Sequence, residues 1–171
     1  MVLKTVRLLK WGAVVLAVAM ATLLAVRAFD SQRGPPLELW HTFAPHELSA
    51  MEIDKSDWSR YMAAEEKAFA EVRTEVTGRL EPHARHAGNR YFVDSPTYTG
   101  RFARDWNRSY IMRPDGAPAG AVVLLHGLTD SPYSLRHIAQ RYVESGYVAV
   151  AIRMPGHGTV PSGLTNVHWE D

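Results

Sequence analysis

The hydrophobic pattern begins with an apolar run close to the N-terminus. Residues 11–26 carry no charge, and Lys10 and Arg27 bound the run on either side. A helix of this length covers about 24 Å, a little less than the hydrocarbon core of a bilayer at about 30 Å. Because both cations can extend toward the lipid headgroups, the pattern predicts a transmembrane helix within residues 1–29, with residues 8–29 in the membrane.

A cleaved secretory signal is the alternative to an anchor. The run is slightly longer than a typical signal-peptide core, and residues 19–21 or 26–28 have the small-residue pattern of a cleavage site. Lys4, Arg7 and Lys10 precede the run, and positively charged flanks stay on the cytoplasmic side. We therefore expect a cytoplasmic N-terminus, with the remainder periplasmic or extracellular, or secreted if the segment is cleaved.

A linker and one long helical pattern follow the apolar run. Gly34 and the two prolines after it indicate a linker and docking segment over residues 30–55, in which residues 37–43 alternate like an extended stretch. Apolar residues then recur with helical spacing over 56–80, which predicts an amphipathic helix in a helical and turn-rich extension, residues 56–106. The aromatic side chains of this helix are interpreted as core packing. Its charged residues are expected mostly on the other faces: Glu65, Glu66, Lys67, Glu71, Arg73 and Glu75.

The last third of the chain alternates between short apolar runs and a second helical pattern. Residues 108–113 and 121–125 predict two strands, antiparallel to each other across the turn at Asp115. Residues 131–145 predict a helix whose first residue, a serine, is positioned to cap it, and residues 147–153 predict a third strand. A strand, a helix and another apolar strand form a right-handed crossover with a parallel pair, so the fold class is α/β.

Composition narrows the function classes. The chain has 19 Lys and Arg against 18 Asp and Glu, and its arginines are scattered, so we expect no nucleic-acid partner. The sequence contains no cysteine. A disulfide framework and a thiolate zinc site are therefore excluded.

The two parallel strands are each followed by a polar, glycine-containing motif. "HGLTDS" occupies residues 126–131 and "MPGHGTVP" occupies residues 154–161. The carboxyl ends of parallel strands are where open sheets bind ligands. Gly127 is expected to turn the chain so that the backbone N–H of Leu128 points into the crevice, a geometry that suits an oxyanion. His126 is a candidate base or ligand, although a histidine at a strand end more often packs and bonds locally.

These motifs resemble the first half of the α/β-hydrolase core. The pattern His-Gly-x-x-x-Ser, a helix, "GYVAVAIR", "PGHGT" and a downstream tryptophan is similar to bacterial monoacylglycerol lipase-like and carboxylesterase-like proteins, often grouped with serine aminopeptidases. The resemblance covers residues 108–171. It implies that residues 107–171 form the N-terminal part of a hydrolase core, an incomplete sheet preceded by the membrane helix and the amphipathic helix.

The resemblance also implies an activity and site residues. Family members hydrolyse carboxylic esters or acyl compounds through an acyl-serine, without metal or organic cofactor. The residue after His-Gly supplies one oxyanion N–H, which corresponds to Leu128 beside the turn at Gly127. The loop formed by Gly156, His157 and Gly158 shapes the crevice without belonging to the catalytic triad.

The sequence departs from the family at the nucleophile. Family members place the catalytic serine in a Gly-x-Ser-x-Gly elbow, and this chain has none. We expect the nucleophile, the acid and the catalytic histidine beyond Asp171, and therefore a membrane-attached hydrolase fragment that is inactive by itself. Four serines near the motifs lack flanking glycines at both required spacings: Ser131, Ser134, Ser145 and Ser162.

Three other interpretations stay open. A metal site would use His126, His157 and His168, which lie on different loops without ligand spacing. A dinucleotide fold would need Gly-x-Gly-x-x-Gly after its first strand, where "HGLTDS" has one glycine. A membrane-tethered half domain could also serve as a non-catalytic binding or scaffolding protein.

Overall fold

The computed structural model of the chain describes the backbone of residues 2–167 and the side chains of residue 7 and residues 9–167. The chain forms two compact units, Met1–Leu37 and Glu38–Asp171.

The first unit is built on one long helix, α1 (Val2–Arg33). Its stretch Leu9–Arg33 is apolar, 25 residues long and unburied within the protein, and at about 1.5 Å per residue it covers roughly 37 Å. Within the described residues, this is the one helix long and apolar enough to cross a membrane. The same properties fit a signal sequence, so both alternatives for the segment remain compatible with the structure.

The second unit starts with two single-turn helices, α2 (Leu39–Thr42) and α3 (Ala50–Ile53). The expected extended stretch over 37–43 is therefore wrong. The N–H of Glu38 donates to Nδ1 of His41 at 3.1 Å, which closes the first turn. The chain bends here because the turn brings Leu39 and its aromatic neighbours against a buried cluster, which alternation along a strand would not achieve.

Helix α4 (Trp58–Glu75) replaces the longer helix expected over 56–80. The carboxylate of Asp57 accepts the N–H of Arg60 at 2.8 Å, so Asp57 is the N-cap. After α4 the chain tightens into a 3-10 turn, Thr77–Arg79, which contains the glycine that disfavours a regular last turn. The buried face of α4 departs from the expected one. Trp58, interpreted as core packing, is 39% exposed because it lies on the first turn, whereas Glu65 lies among the buried residues.

Residues 38–106, which include the end of the docking segment and are called the extension from here on, share a hydrophobic core with the loop that follows the last strand. Buried side chains from α4, from the turns after it and from this loop pack together: Val72, Val76, Leu80, Ala84, Tyr91 and Val160. Residues 38–106 and the carboxyl-end loop therefore support each other by direct packing.

A three-stranded sheet forms the centre of the second unit. The strands are β1 (Tyr110–Met112), β2 (Gly120–Leu125) and β3 (Tyr147–Ile152), in the order β1-β3-β2. Strands β2 and β3 are parallel, with Leu125 opposite Ile152. The crossover predicted from the sequence is present, which gives the region its α/β character.

The predicted pairing of the first two strands is wrong. Strand β1 pairs antiparallel with β3, with Tyr110 opposite Ala151. Because β3 buries residues on both faces, including Val148 and Ala149, it occupies the centre and takes a partner on each side. The chain between β1 and β2 passes to the far side of β3 instead of forming a hairpin.

The crossover helix is divided into two parts. A 3-10 turn, Pro132–Leu135, precedes α5 (Arg136–Glu144), where one continuous helix was expected. Gly146 adopts a left-handed backbone, φ +86°, and returns the chain into β3. Helix α5 packs Ala139 against one face of the sheet.

Candidate functional site

The two motifs meet at the carboxyl ends of β2 and β3, as the sequence predicts. The contact is a hydrogen bond from the N–H of Met154, after β3, to Nε2 of His126, after β2, at 3.1 Å. His126 is only 5% exposed. The two turns therefore form one joined surface at the edge of the parallel pair.

His126 is held as a neutral ring. Its Nδ1 lies 3.0 Å from the carbonyl oxygen of Gly127, so Nδ1 carries the proton and donates it while Nε2 accepts from Met154. Burial, together with the nearby cation of Arg153, holds the pKa of His126 below its usual range. Both ring nitrogens are occupied, which favours local bonding over a role as base or metal ligand.

The turn after β2 leaves a backbone donor open. The N–H of Asp130 donates to the carbonyl of Gly127 at 3.1 Å and closes the turn. Among residues 2–167, nothing accepts a hydrogen bond from the N–H of Leu128, whose side chain is 80% exposed. Within the described residues this N–H therefore has no acceptor.

Gly127 lies in the turn after β2, where the sequence predicts a change of chain direction. Its φ is not positive, and a Cβ added there would meet nothing within 4 Å. Glycine is therefore not needed at this position for backbone geometry. The closure by Asp130 shapes the turn instead.

The loop after β3 does need its glycines. Gly156 and Gly158 have φ of +75° and +72°. A Cβ on Gly156 would lie 2.8 Å from the carbonyl oxygen of Gly163, and one on Gly158 would lie 2.9 Å from that of Asn107. The two glycines allow the loop to pack closely against its neighbours.

His157, between these glycines, has one nitrogen without a partner. Its Nδ1 lies 2.8 Å from the carbonyl oxygen of Pro155, whereas Nε2 is buried and has no partner among the described residues. The ring packs against His126 with 4.9 Å between the ring centroids. The structure thus brings both predicted histidines together without making them a pair of ligands.

The sequence analysis missed a buried ion cluster beneath this loop. Arg153, at the end of β3, has a side chain only 2% exposed. Its Nη1 and Nη2 each lie 2.8 Å from a carboxylate oxygen of Glu47, and its Nε lies 3.1 Å from Oε2 of Glu65. Burial disfavours the charged guanidinium, but the hydrogen bond and charge of Glu47 outweigh it and raise the pKa of Arg153.

The cluster fixes the loop backbone as well as the charges. Glu47 accepts the N–H of Gly156 at 3.0 Å, and Arg153 donates to the carbonyl of His157 at 3.0 Å. Ser109 donates its hydroxyl to Glu65 at 2.7 Å and accepts the N–H of Arg153 at 2.8 Å. The extension therefore holds the loop through specific hydrogen bonds. One sequence signal was available, since Glu65 lies four residues from both apolar neighbours, positions 61 and 69, on the buried face of α4.

The serines near the motifs bond to groups other than histidine. Ser131 stands at the N-cap position, but its hydroxyl donates to Oδ1 of Asn107 at 2.9 Å, so the predicted side-chain cap is wrong. Ser134, Ser145 and Ser162 donate to backbone carbonyls. Residues 2–167 thus show no serine hydroxyl bonded to a histidine ring.

No metal-binding cluster is found in the described part of the chain, where groups of three His, Cys, Asp or Glu side chains are absent. His168, the third residue of the open metal interpretation, lies outside the described residues, as does Trp169 of the family pattern.

A large cavity lies between the extension and these loops. It has a volume of about 800 Å³ and is bounded by residues 40–41, 86–91, 129–133 and 156–161. His157 and Thr159 are among its walls.

Comparisons with known proteins agree with a hydrolase-like region of the α/β kind. A thermostable monoacylglycerol lipase from a Bacillus species is 39% identical over 57 residues, 33% of this chain and 19% of the lipase. A monoacylglycerol lipase from Mycolicibacterium smegmatis is 38% identical over 61 residues, 36% of this chain and 21% of that protein. The chain thus matches about a fifth of the length of these relatives. No family model and no solved structure matches it.

Proposed function

We propose that this chain carries the oxyanion-binding part of a membrane-attached serine hydrolase that cleaves carboxylic esters. The observation that carries the proposal is the N–H of Leu128, unpaired among residues 2–167 and placed where β2 and β3 end together. The partial similarity to two monoacylglycerol lipases supports the hydrolase class.

In the proposed reaction, the turn after β2 binds the carbonyl oxygen of the ester, and neither this turn nor the loop 156–158 supplies the nucleophile. In ester hydrolysis, a serine oxygen attacks the carbonyl carbon, the alcohol leaves, and water then releases the acid from the acyl-serine. Negative charge develops on the carbonyl oxygen in each addition step. The N–H of Leu128 stabilises that charge, while His126 and the loop 156–158 hold the crevice in shape without exchanging protons.

The nucleophile, the acid and the catalytic base are proposed to lie outside these 171 residues. No Gly-x-Ser-x-Gly elbow occurs in the sequence, and the hydroxyls of Ser131 and Ser134 are bonded to an amide and a carbonyl oxygen. An oxyanion donor without a nucleophile polarises a carbonyl but does not cleave it. We expect ester hydrolysis by this chain alone to remain at background.

The test compares two substitutions of Leu128 in the product of the complete gene, assayed on a short-chain aryl ester. Leu128→Ala keeps the N–H and should retain most activity, because the side chain is exposed. Leu128→Pro removes the N–H and should lower the rate by about 10²- to 10³-fold. Equal effects of the two substitutions would contradict the assignment.

A non-catalytic, membrane-tethered binding protein is the second candidate. It is favoured by the bonding of the serines, none of which contacts a histidine in residues 2–167. A complete gene without the serine elbow, and a product without turnover, would support this candidate. The contrary result is hydrolysis of the ester by the 171-residue chain itself, with loss of this activity on substitution of Ser131 or Ser134. That result would overturn both the non-catalytic candidate and the placement of the nucleophile outside these residues.

Membrane attachment through residues 8–29 is part of the proposal. The helix Leu9–Arg33 supports it by length and composition, and the preceding cations favour a cytoplasmic N-terminus. A reporter fused after Asp171 should be active only outside the cytoplasm. Activity confined to the cytoplasm would refute this orientation.

A further inference from the structure

We propose that Tyr61, on α4, is a positioning residue for the ester hydrolysis proposed above. Its hydroxyl begins a chain of hydrogen bonds that are all donated in the same direction, and the chain ends at the N–H of Leu128. The inference rests on the proposed function, in which this N–H stabilises the oxyanion. It adds a residue of the extension, outside residues 108–171 that resemble the hydrolase core, to the groups that determine the rate.

The first bond of the chain joins α4 to the end of β3. The hydroxyl of Tyr61 donates to the carbonyl oxygen of Arg153. This carbonyl belongs to the same peptide unit as the N–H of Met154. The unit is trans, like every peptide bond of the described residues, so its C=O and N–H point in opposite directions. The bond from Tyr61 therefore helps to fix the direction in which the N–H of Met154 donates.

The next two bonds pass through the ring of His126. The N–H of Met154 donates to Nε2 at 3.1 Å, and Nδ1 donates to the carbonyl oxygen of Gly127 at 3.0 Å. This direction requires a neutral ring with its proton on Nδ1, and burial favours the neutral form. The carbonyl of Gly127 and the N–H of Leu128 again share one trans peptide unit. The N–H of Leu128 therefore points away from the ring that fixes this unit.

The common direction of the bonds gives the chain an electronic effect as well as a geometric one. A carbonyl that accepts a hydrogen bond polarises its peptide unit, so the N–H of the same unit becomes a better donor. Such cooperative strengthening is about 10–30% per bond in condensed phases. The effect matters most where the acceptor is charged, because charge-assisted hydrogen bonds are the stronger ones. We therefore expect the Tyr61 hydroxyl to stabilise the oxyanion more than the neutral ester.

Tyr61 has the properties of a permanent donor. Burial, together with the charges of Glu65 and Glu47, raises the pKa of Tyr61 to about 12, so its hydroxyl keeps its proton at neutral pH. The ring is half-buried and stacks on Trp58, with 6.3 Å between the ring centroids. Tyr61→Phe therefore removes the first donor of the chain and leaves the ring packing in place.

The geometry of the chain is tested without any enzyme activity, on the full 171-residue chain in lipid nanodiscs. Tyr61→Phe should shift the amide-proton NMR signals of Met154 and Leu128 upfield, because a less polarised N–H is more shielded. Tyr110→Phe is the matched control, since it removes a buried hydroxyl that donates to the carbonyl of Pro132 at 3.2 Å, outside the chain. Unchanged signals in Tyr61→Phe, or equal shifts in both variants, would overturn the proposal.

The effect on hydrolysis is tested in the product of the complete gene, with a short-chain aryl ester. Tyr61→Phe should lower kcat by about 3- to 10-fold, the size of one neutral hydrogen bond. KM should stay unchanged, because the interaction is strengthened in the transition state and not in the bound ester. Tyr110→Phe should keep the original kcat. A loss confined to KM, or an equal loss of kcat in both variants, would contradict a positioning role.

A double-mutant cycle shows whether Tyr61 acts through the chain. His126→Asn interrupts the chain, because asparagine has no group at the position of Nε2, and Tyr61→Phe should then lower kcat no further. Additive losses would overturn the inference. Leu128→Pro separates it from the proposed function. If Leu128→Pro leaves the rate unchanged, the oxyanion assignment fails and the role of Tyr61 in hydrolysis fails with it. If Leu128→Pro lowers the rate and Tyr61→Phe does not, the inference on Tyr61 fails alone.

Discussion

The ion cluster under the carboxyl-end loop predicts a large stability loss from one substitution in the extension. Glu47→Gln keeps the size of the side chain but removes its charge. It disrupts two charge-assisted hydrogen bonds to Arg153 at 2.8 Å, and one oxygen also holds the N–H of Gly156 at 3.0 Å. Hydrogen bonds to charged groups contribute about 1.5–3 kcal/mol each.

The loss in the free energy of unfolding should be smaller than the loss from a buried charge that has no partner at all, which is about 3–5 kcal/mol. Glu65 still faces Arg153 at 3.1 Å and compensates its charge. The amide oxygen of the glutamine can keep the two bonds that Oε1 accepts, from Nη1 of Arg153 and from the N–H of Gly156, while its NH₂ group faces the guanidinium donor Nη2. We therefore expect the free energy of unfolding to fall by about 2–3 kcal/mol.

Thermal unfolding of the full chain in nanodiscs, followed by near-UV circular dichroism, measures this loss. At about 3 °C per kcal/mol for a domain of this size, the midpoint should fall by roughly 6–9 °C. Glu66→Gln is the matched control, because Glu66 lies beside Glu65 on α4 with its side chain 57% exposed, paired with Arg73 and Arg108. Each of these surface pairs should contribute about 0–1 kcal/mol.

A double-mutant cycle decides whether the loss comes from the ion pair. With Arg153→Met as the second substitution, the two changes together should cost clearly less than the sum of the single costs. Additive costs would refute the reasoning, and so would equal, small midpoint shifts for Glu47→Gln and Glu66→Gln.

Three further predictions follow from the loops and the helix. The pKa of His126 in the folded chain lies below its unfolded value, so the unfolded chain binds more protons at low pH. Thermal stability should therefore fall as the pH drops below about 6.5. His126→Asn should flatten this dependence. Gly158→Ala should destabilise the protein by about 1–3 kcal/mol in urea titrations, since its φ is +72°, whereas Gly127→Ala, in open space, should change little. Val14→Lys should shift the protein out of the membrane fraction, and unchanged fractionation would refute the anchor.

The local order of elements in the α/β region could be predicted from the sequence. Apolar runs and the helical spacing between them are local signals, and they placed β2, the crossover and β3. The position of β1 in the sheet is not local. Nothing in residues 108–113 distinguishes a hairpin with β2 from pairing with β3, because the choice depends on how much apolar surface β3 buries on both faces.

The sequence motifs locate the glycines and histidines of the candidate site, but they do not reveal the buried charged residues that hold these motifs in place. Motif spacing located His126 and His157, whereas Glu47 lies in a segment without periodicity, more than 100 residues before Arg153. Glu65 was expected on a solvated face because glutamate is rarely buried without a partner. Its partners, Ser109 and Arg153, lie 44 and 88 residues further along the chain, so a helical pattern cannot reveal them.

The hydrogen bonds form a continuous path from the extension to the open backbone donor. Glu47 bonds to Gly156 and Arg153, the loop that begins after Arg153 presents the N–H of Met154 to His126, and His126 bonds to the carbonyl of Gly127, next to Leu128. Three of these bonds fix a backbone group, namely the N–H of Gly156, the N–H of Met154 and the carbonyl of Gly127, and the bond between Glu47 and Arg153 joins two side chains. In the turn after β2, no atom lies within 4 Å of the position that a Cβ on Gly127 would take. The shape of this turn therefore depends on its hydrogen bonds more than on side-chain packing. An extension that belongs to no recognised part of the site thereby helps to determine where the proposed oxyanion donor stands.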